Sequence, residues 1–437
     1  MTDQQTGSAS ERPTAGTLDV DFVRAQFPAF SHPDLRDWVH FENAGGSYVP
    51  SQVIDLLTHF YTATKVQPYG PAGPARAAGE AMDRARALVP ATLNAAPDEV
   101  QFGPSTSQNT YVLARALRAT MDDGDEVIVT NQDHEANIGS WRRLADTGVT
   151  VREWSVNSDT GLLDLGDLSA LLTERTRLVC VTHASNLAAT INPIRAIADL
   201  VHKNGGLVLV DGVSWAPHAA IDVAELDCDF YLYSTYKTYG PHQGLIYTRR
   251  SVLERLTNQG HFFKADTPTA WLSPAGPDHA AVAACAGMID YYEALYDHHF
   301  GATADAGAGA TSAVDGDRPD LVARIAAVYD LVADHEERLM APLLAFLQER
   351  EVRLIGSPVA SRDVRAPTIA FTTDRAEPTQ VVEALAADGI GGGRGDFYAV
   401  RLCSALGLPN GVVRLSMVHY NTEEEVDRTI GSLAKIL

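Results

Sequence analysis

Three scarcities mark the sequence before any motif does. Among 437 residues there are only four cysteines, Cys180, Cys228, Cys285 and Cys403. They are scattered, without the paired spacing of a zinc site or the density of a disulfide-stapled secreted domain, so no metal is expected. Positive charge is short as well: 34 Lys and Arg stand against 56 Asp and Glu, a formal charge of −22. So acidic a surface repels phosphate backbones and anionic lipid, which excludes nucleic acid and membrane surfaces as expected partners. Long apolar runs are missing too. None reaches the roughly 18–20 residues of a spanning helix, and the polar N-terminus lacks the apolar core of a signal peptide. A soluble, cytoplasmic protein is expected. Hydrophobic residues make up 45% of the chain, enough for two or three domains at roughly 150 residues each.

Residues 1–17 are polar and small and read as a disordered tail. Residues 18–34 turn amphipathic and read as an N-terminal segment that packs with a smaller domain. A large domain is expected over 35–290 and a small C-terminal one over 291–437, with the Gly/Ala/Asp-rich run 301–317 as a flexible insertion. Strands are predicted at Glu126–Thr130, Val149–Trp154, Arg177–Thr182, Leu207–Asp211, Asp229–Tyr233 and Gly244–Thr248, with helical patterns between most of them. Their unbroken apolar character suits strands covered on both faces, and the alternation predicts an α/β fold with a mainly parallel sheet. Strands at Val352–Ile355, Thr368–Phe371 and Val412–Met417, separated by helices, suggest an α+β unit.

Ligands of open α/β sheets bind beyond the carboxyl ends of the strands. Four of those ends carry polar runs here: Asp133-His134, His183 to Asn186, Asp211 to Ser214, and Ser234-Thr-Tyr236-Lys237. Lysine is rare, with five in the chain, so Lys237 at a strand end is conspicuous. Burial there would lower its pKa and make the amine a nucleophile; the plainer reading is a lysine snorkelling from a strand end. Its neighbours favour the first. A lysine that forms a Schiff base with pyridoxal 5'-phosphate needs an acid partner for the ring nitrogen, a stacking ring and a phosphate cradle. Asp211 can be the acid and His134 the ring. The run Gly103 to Asn109 before a helix, with Ser234 and Tyr236, can form the cradle.

The run from Val210 to Pro241, VDGVSWAPHAAIDVAELDCDFYLYSTYKTYGP, resembles the lysine region of the class V aminotransferase family, in its cysteine desulfurase-like branch. FENAGGSYVPSQVI, FGPSTSQNT, DHEANIGSW, SNLAATINPI and VVRLSMVHYNTEEEVDR resemble further family segments in the family's order. The resemblance implies a fold-type I, pyridoxal-phosphate-dependent homodimer acting on a small amino acid. Its large domain would carry a mainly parallel, seven-stranded type of sheet beside a smaller α+β domain. It implies Lys237 as Schiff-base lysine, Asp211 as pyridinium partner, His134 as stacking and catalytic ring, and Asn186 on the phenolic oxygen. Ser105, Thr106, Ser214, Ser234, Tyr236 and Gly276 would complete the cofactor site. Arg414 would hold the substrate carboxylate, with Arg394, Tyr398 and Asn43 near substrate.

The chain also departs from the family. Ser214 and Tyr236 stand where many relatives carry Gln and His. Ala399, in RGDFYA, falls where persulfide-forming desulfurases carry their loop cysteine, and Cys403 lies four residues on in a helical pattern. A C–S or other β-lyase lacking that cysteine is the expected activity. Aminotransferase, epimerase and a catalytically silent binding protein are the alternatives.

Overall fold

The structure, a computed structural model, describes residues 16–301 and 318–437. The expected tail and insertion therefore lie outside the described residues, apart from Gly16, Thr17 and Gly301.

Among the described residues thirteen strands are numbered in chain order. A two-residue β1 (Val39–His40) precedes seven that form the main sheet: β2 (Val100–Gly103), β3 (Glu126–Thr130), β4 (Thr150–Trp154), β5 (Thr176–Thr182), β6 (Leu207–Asp211), β7 (Phe230–Ser234) and β8 (Gly244–Thr248). Their order is β2-β8-β7-β6-β5-β3-β4, and β8 alone runs against the rest. The apolar runs are unbroken because both faces are covered. Val179, Val208, Val210 and Tyr231 face one core with the helix Ile194–Lys203. Cys180, Leu209, Phe230 and Leu232 face the other, under helices Thr106–Arg118 and Glu135–Arg142. The pleat alternates while apolarity does not.

The C-terminal part holds β9 (Val352–Ile355), β10 (Thr368–Thr373), β11 (Ile390–Gly391), β12 (Gly393–Gly395) and β13 (Val412–Ser416). Four of these form an antiparallel sheet in the order β12-β13-β10-β9, while β11 pairs in parallel with β1. The expected domain boundaries are crossed in two places. Val39 and Phe41 pack in the C-terminal core, and helix Ala286–Phe300 runs through position 290. The segment 18–34 sends Val23 and Phe27 into the large core, while Arg24 reaches Glu425 at 2.9 Å. Helix Arg318–Gln348 couples the two cores, burying Ile325 and Val328 in the first and Leu339 and Leu343 in the second.

One close approach sets the site. Gly103 and Gly244 face each other across β2 and β8. A Cβ at Gly244 would fall 2.5 Å from the carbonyl carbon of Ser105 and 2.6 Å from the amide of Thr106. Helix Thr106–Arg118 can start against the sheet only because that side chain is missing. Gly244→Ala is expected to destabilise the protein by about 1–3 kcal/mol, an overpacking cost. Gly431→Ala, in an exposed helical position with nothing within 4 Å, should stabilise by about 0.4–1 kcal/mol. Urea unfolding midpoints of the two variants should move in opposite directions.

Candidate active site

Five strand ends converge on one cavity of about 270 Å³. Asp211 ends β6. Ser234 ends β7, and one tight turn later comes Lys237. Thr182 ends β5, in register with Asp211, and leads to Asn186. After β3, His134 caps helix Glu135–Arg142. After β2, Ser105 caps helix Thr106–Arg118. Ser214 and Tyr236 line the same cavity.

Lys237 is buried, and burial is the main force on its pKa, pulling it down to about 8. The Arg414 charge lowers it further, while Asp211 and Glu42 pull it back up. Burial lifts Asp211 to about 6, opposed by the backbone N–H of Val213 at 2.9 Å and by Lys237. Burial, helped by Lys237 and Arg414, takes His134 down to about 4, so at neutral pH its ring is uncharged. Nδ1 of that ring accepts from the amide of Ala136 at 3.0 Å, which leaves the proton on Nε2 and fixes the ring's orientation. Behind it, Asp133 is held by Thr130 and Asn137, and burial raises it to about 7.

The far end of the cavity is built for an anion. The N-terminus of a 13-residue helix opens there, and Thr106 Oγ1 lies 2.7 Å from Ser234 Oγ. His242 also lines this end, its ring stacked on Tyr236 at 4.8 Å and 1°. On the opposite rim, Asn186 Nδ2 donates to the carbonyl of Phe397 at 2.9 Å, while its Oδ1 is buried without a partner. A carboxylate, a neutral imidazole, a buried amine and a helix N-terminus with two paired hydroxyls thus share one cavity.

Comparison with known proteins places the chain in a family. The sequence profile of the aminotransferase class-V family matches residues 39–268 and 321–429. The chain belongs to the class-V aminotransferase family. Among its relatives, the aminotransferase-like protein FGM3 of Gibberella zeae is 36% identical over 436 residues, covering 97% of this chain and all of that one. A cysteine desulfurase of Dickeya dadantii is 31% identical over 438 residues, covering 95% of this chain and 96% of its own. The solved cysteine desulfurase of Thermococcus onnurineus shares the fold, with a TM-score of 0.81 at 21% identity, over 98% of this chain and 99% of that one.

The class-V family is pyridoxal-phosphate-dependent, and the cavity fits that group: the glycine pair clears its anion end, and Asn186 keeps a polar group unmatched. Several residues expected at the site lie elsewhere. The buried amide of Asn43 is spent on His40 O, Ser416 O and Asn421, with Tyr420 donating to its oxygen. It clasps the chain to β13 and does not line this cavity. Arg394 pairs with Val413, so the pleat turns its side chain to the face opposite Arg414, and it is exposed. Gly276 is exposed and does not line the cavity of its own chain. Tyr398 is 70% exposed and leans over His134 at 5.2 Å. It follows Phe397, and both are left-handed, at φ 61° and 51°, a conformation that costs non-glycine residues energy. Asn186 holds this turn at Phe397 O, and the amide of Glu135 holds it at Tyr398 O.

Arg414 is 3% exposed on β13 and is not among the residues lining the cavity; it is tied to Asn186 O, on a residue that does line it, at 3.2 Å and to Glu42 at 2.6 Å. Sequence reading missed Glu42 and His242. Glu42 was visible only as part of FENAGG, and His242 as an imidazole five residues after the lysine. All four cysteines are buried and free, and none lines the cavity. Ala399 is buried too, and burial pushes the Cys403 thiol up to about 11.

Lys237 should therefore deprotonate well below the usual lysine range. Reductive methylation with formaldehyde, followed site by site by mass spectrometry, should reach half its limiting rate at Lys237 near pH 8, against the 10.5 of an unperturbed lysine. The sign follows from burial: the charged form is disfavoured, so the proton leaves at lower pH.

Proposed function

We propose that the chain is a pyridoxal-phosphate enzyme that cleaves the β-substituent of a small amino acid, a cysteine desulfurase-like β-lyase that works without a loop cysteine. The observation that carries this reading is the missing thiol: Ala399 stands in the loop, and Cys403 sits in helix Val400–Ala405, buried and protonated at neutral pH.

When bound, the group would supply an electron sink for charge developing on the substrate's α-carbon. The protein's own residues would do the rest. Asp211 would hold a proton at the ring nitrogen, its carboxylate kept in place by the Val213 amide. His134, neutral and fixed by its cap, would stack on the ring without adding charge. Ser105, Thr106 and Ser234 would hold the phosphate at the helix N-terminus. Lys237, close to its protonation midpoint near neutral pH, can both take the α-proton and return it. Arg414 would orient the substrate through its carboxylate. With L-cysteine the balance would be cysteine and water giving pyruvate, ammonia and hydrogen sulfide. The reading includes a cytoplasmic homodimer, supported by the dimers common in this family.

Aminotransfer is the second reading, favoured by the name of the 36%-identical relative, and epimerisation stands beside it; neither needs a loop cysteine. Incubation of the loaded enzyme with L-cysteine, without keto acid, separates these. Pyruvate and sulfide are expected in equal amounts, and Cys403→Ser should keep the rate within about twofold, as a residue outside the chemistry does. Lys237→Ala should abolish turnover and the bound-cofactor absorption band. Alanine as the three-carbon product, lost in Cys403→Ser, would overturn the lyase reading.

A further inference from the structure

The guanidinium of Arg414 already has a carboxylate on it. Nη2 donates to Glu42 Oε1 at 2.6 Å, Nη1 donates to Asn186 O at 3.2 Å, and the Phe397 ring lies 3.7 Å beneath the plane. Nε is buried with no partner. On the carboxylate side the contact is equally incomplete, because Glu42 Oε2 is buried without a hydrogen bond. The arrangement is built in. Glu42 follows β1, and its backbone bridges to Ser416 at the end of β13, two residues beyond Arg414. Gly393 is the register partner of Arg414, and any side chain there would collide with Oε2. Glu42 therefore occupies space that a glycine leaves open.

An arginine fork binds a carboxylate best through two parallel N–H···O bonds. Glu42 makes one. The Glu42 side chain is 29% exposed against 3% for Arg414, so the carboxylate has a way out and the guanidinium does not. We propose that Glu42 is a resident counter-ion: it sits in the carboxylate seat of Arg414 while substrate is absent, and the substrate's α-carboxylate displaces it. The inference rests on the reading of Arg414 as that seat. It also defines a substrate class. Once displaced, Glu42 stays beside the bound substrate as a negative charge, and it acts on Lys237 across the same space. A second carboxylate on the substrate meets repulsion, so neutral or cationic amino acids are selected and acidic ones rejected.

Two unreactive acids test this on the pyridoxal-phosphate-loaded protein: propionate with one carboxylate and succinate with two, their binding read from the shift in cofactor absorption. Glu42→Gln keeps the shape and removes the competitor. It should tighten propionate about three- to tenfold and succinate by a larger factor. Glu42→Asp, one methylene shorter, should give an intermediate gain and serves if the amide variant does not fold. Arg414→Gln should weaken propionate at least tenfold. Unchanged or weaker propionate binding in both Glu42 variants, with Arg414→Gln still impaired, would overturn the counter-ion role and leave Glu42 as a positioning residue. If Arg414→Gln binds propionate normally, the seat itself is wrongly assigned, and the inference falls with it.

Discussion

The burial of one ammonium group governs the rest of the site. Lys237 sits one turn beyond a strand covered on both faces, where burial leaves a charge poorly solvated, and its pKa falls accordingly. A buried amine of this kind tolerates protonation only if carboxylates lie nearby. Asp211 and Glu42 supply them, from a neighbouring strand end and from the segment after β1. Arg414 works in the opposite direction and adds to the effect of burial. The ring of His134 is neutral chiefly because it too is buried, and the charges of Lys237 and Arg414 add to that.

That balance depends on two cores held at a fixed relation. The main sheet brings Lys237, Asp211, His134 and the helix N-terminus together, while the antiparallel sheet contributes Arg414. Helix Arg318–Gln348 buries residues in both cores, and the pairing of β1 with β11 carries Glu42 across to β13. The turn at Phe397 and Tyr398 is held from the large domain by Asn186 and Glu135. Its strained backbone persists because those bonds, and the cation stacked on Phe397, determine it from several sides. The same packing acts on the thiols: burial raises the pKa of Cys180, Cys228, Cys285 and Cys403.

Much of this was legible in the sequence, because it is carried by local pattern. Leu207–Asp211 and Gly244–Thr248 were bounded as found, since an apolar run closed by a polar residue is a strand end whatever lies around it. The short edge strand β2, Val100–Gly103, was not anticipated; four residues carry no period, and its place comes from pairing with β8. Lys237, Asp211 and His134 could be nominated because each closes or shortly follows a strand legible in the sequence, and parallel strands align their ends, whereas Ser105 and Thr106 rested on the helix start and the family resemblance.

By itself, then, the sequence determined the α/β alternation and the polar residues, Lys237, Asp211 and His134 among them, that follow or close its strands. Those features depend on residues within a few positions of one another, where side-chain periodicity and capping act. Only the tertiary structure decided which distant charges meet. It put Arg394 on the wrong face of β12, spent Asn43 on a clasp to β13, and set Glu42 against Arg414 across 372 positions of chain. Coulomb and hydrogen-bond partners are chosen by distance in space, and the packing of two separate cores, not any local period, sets that distance.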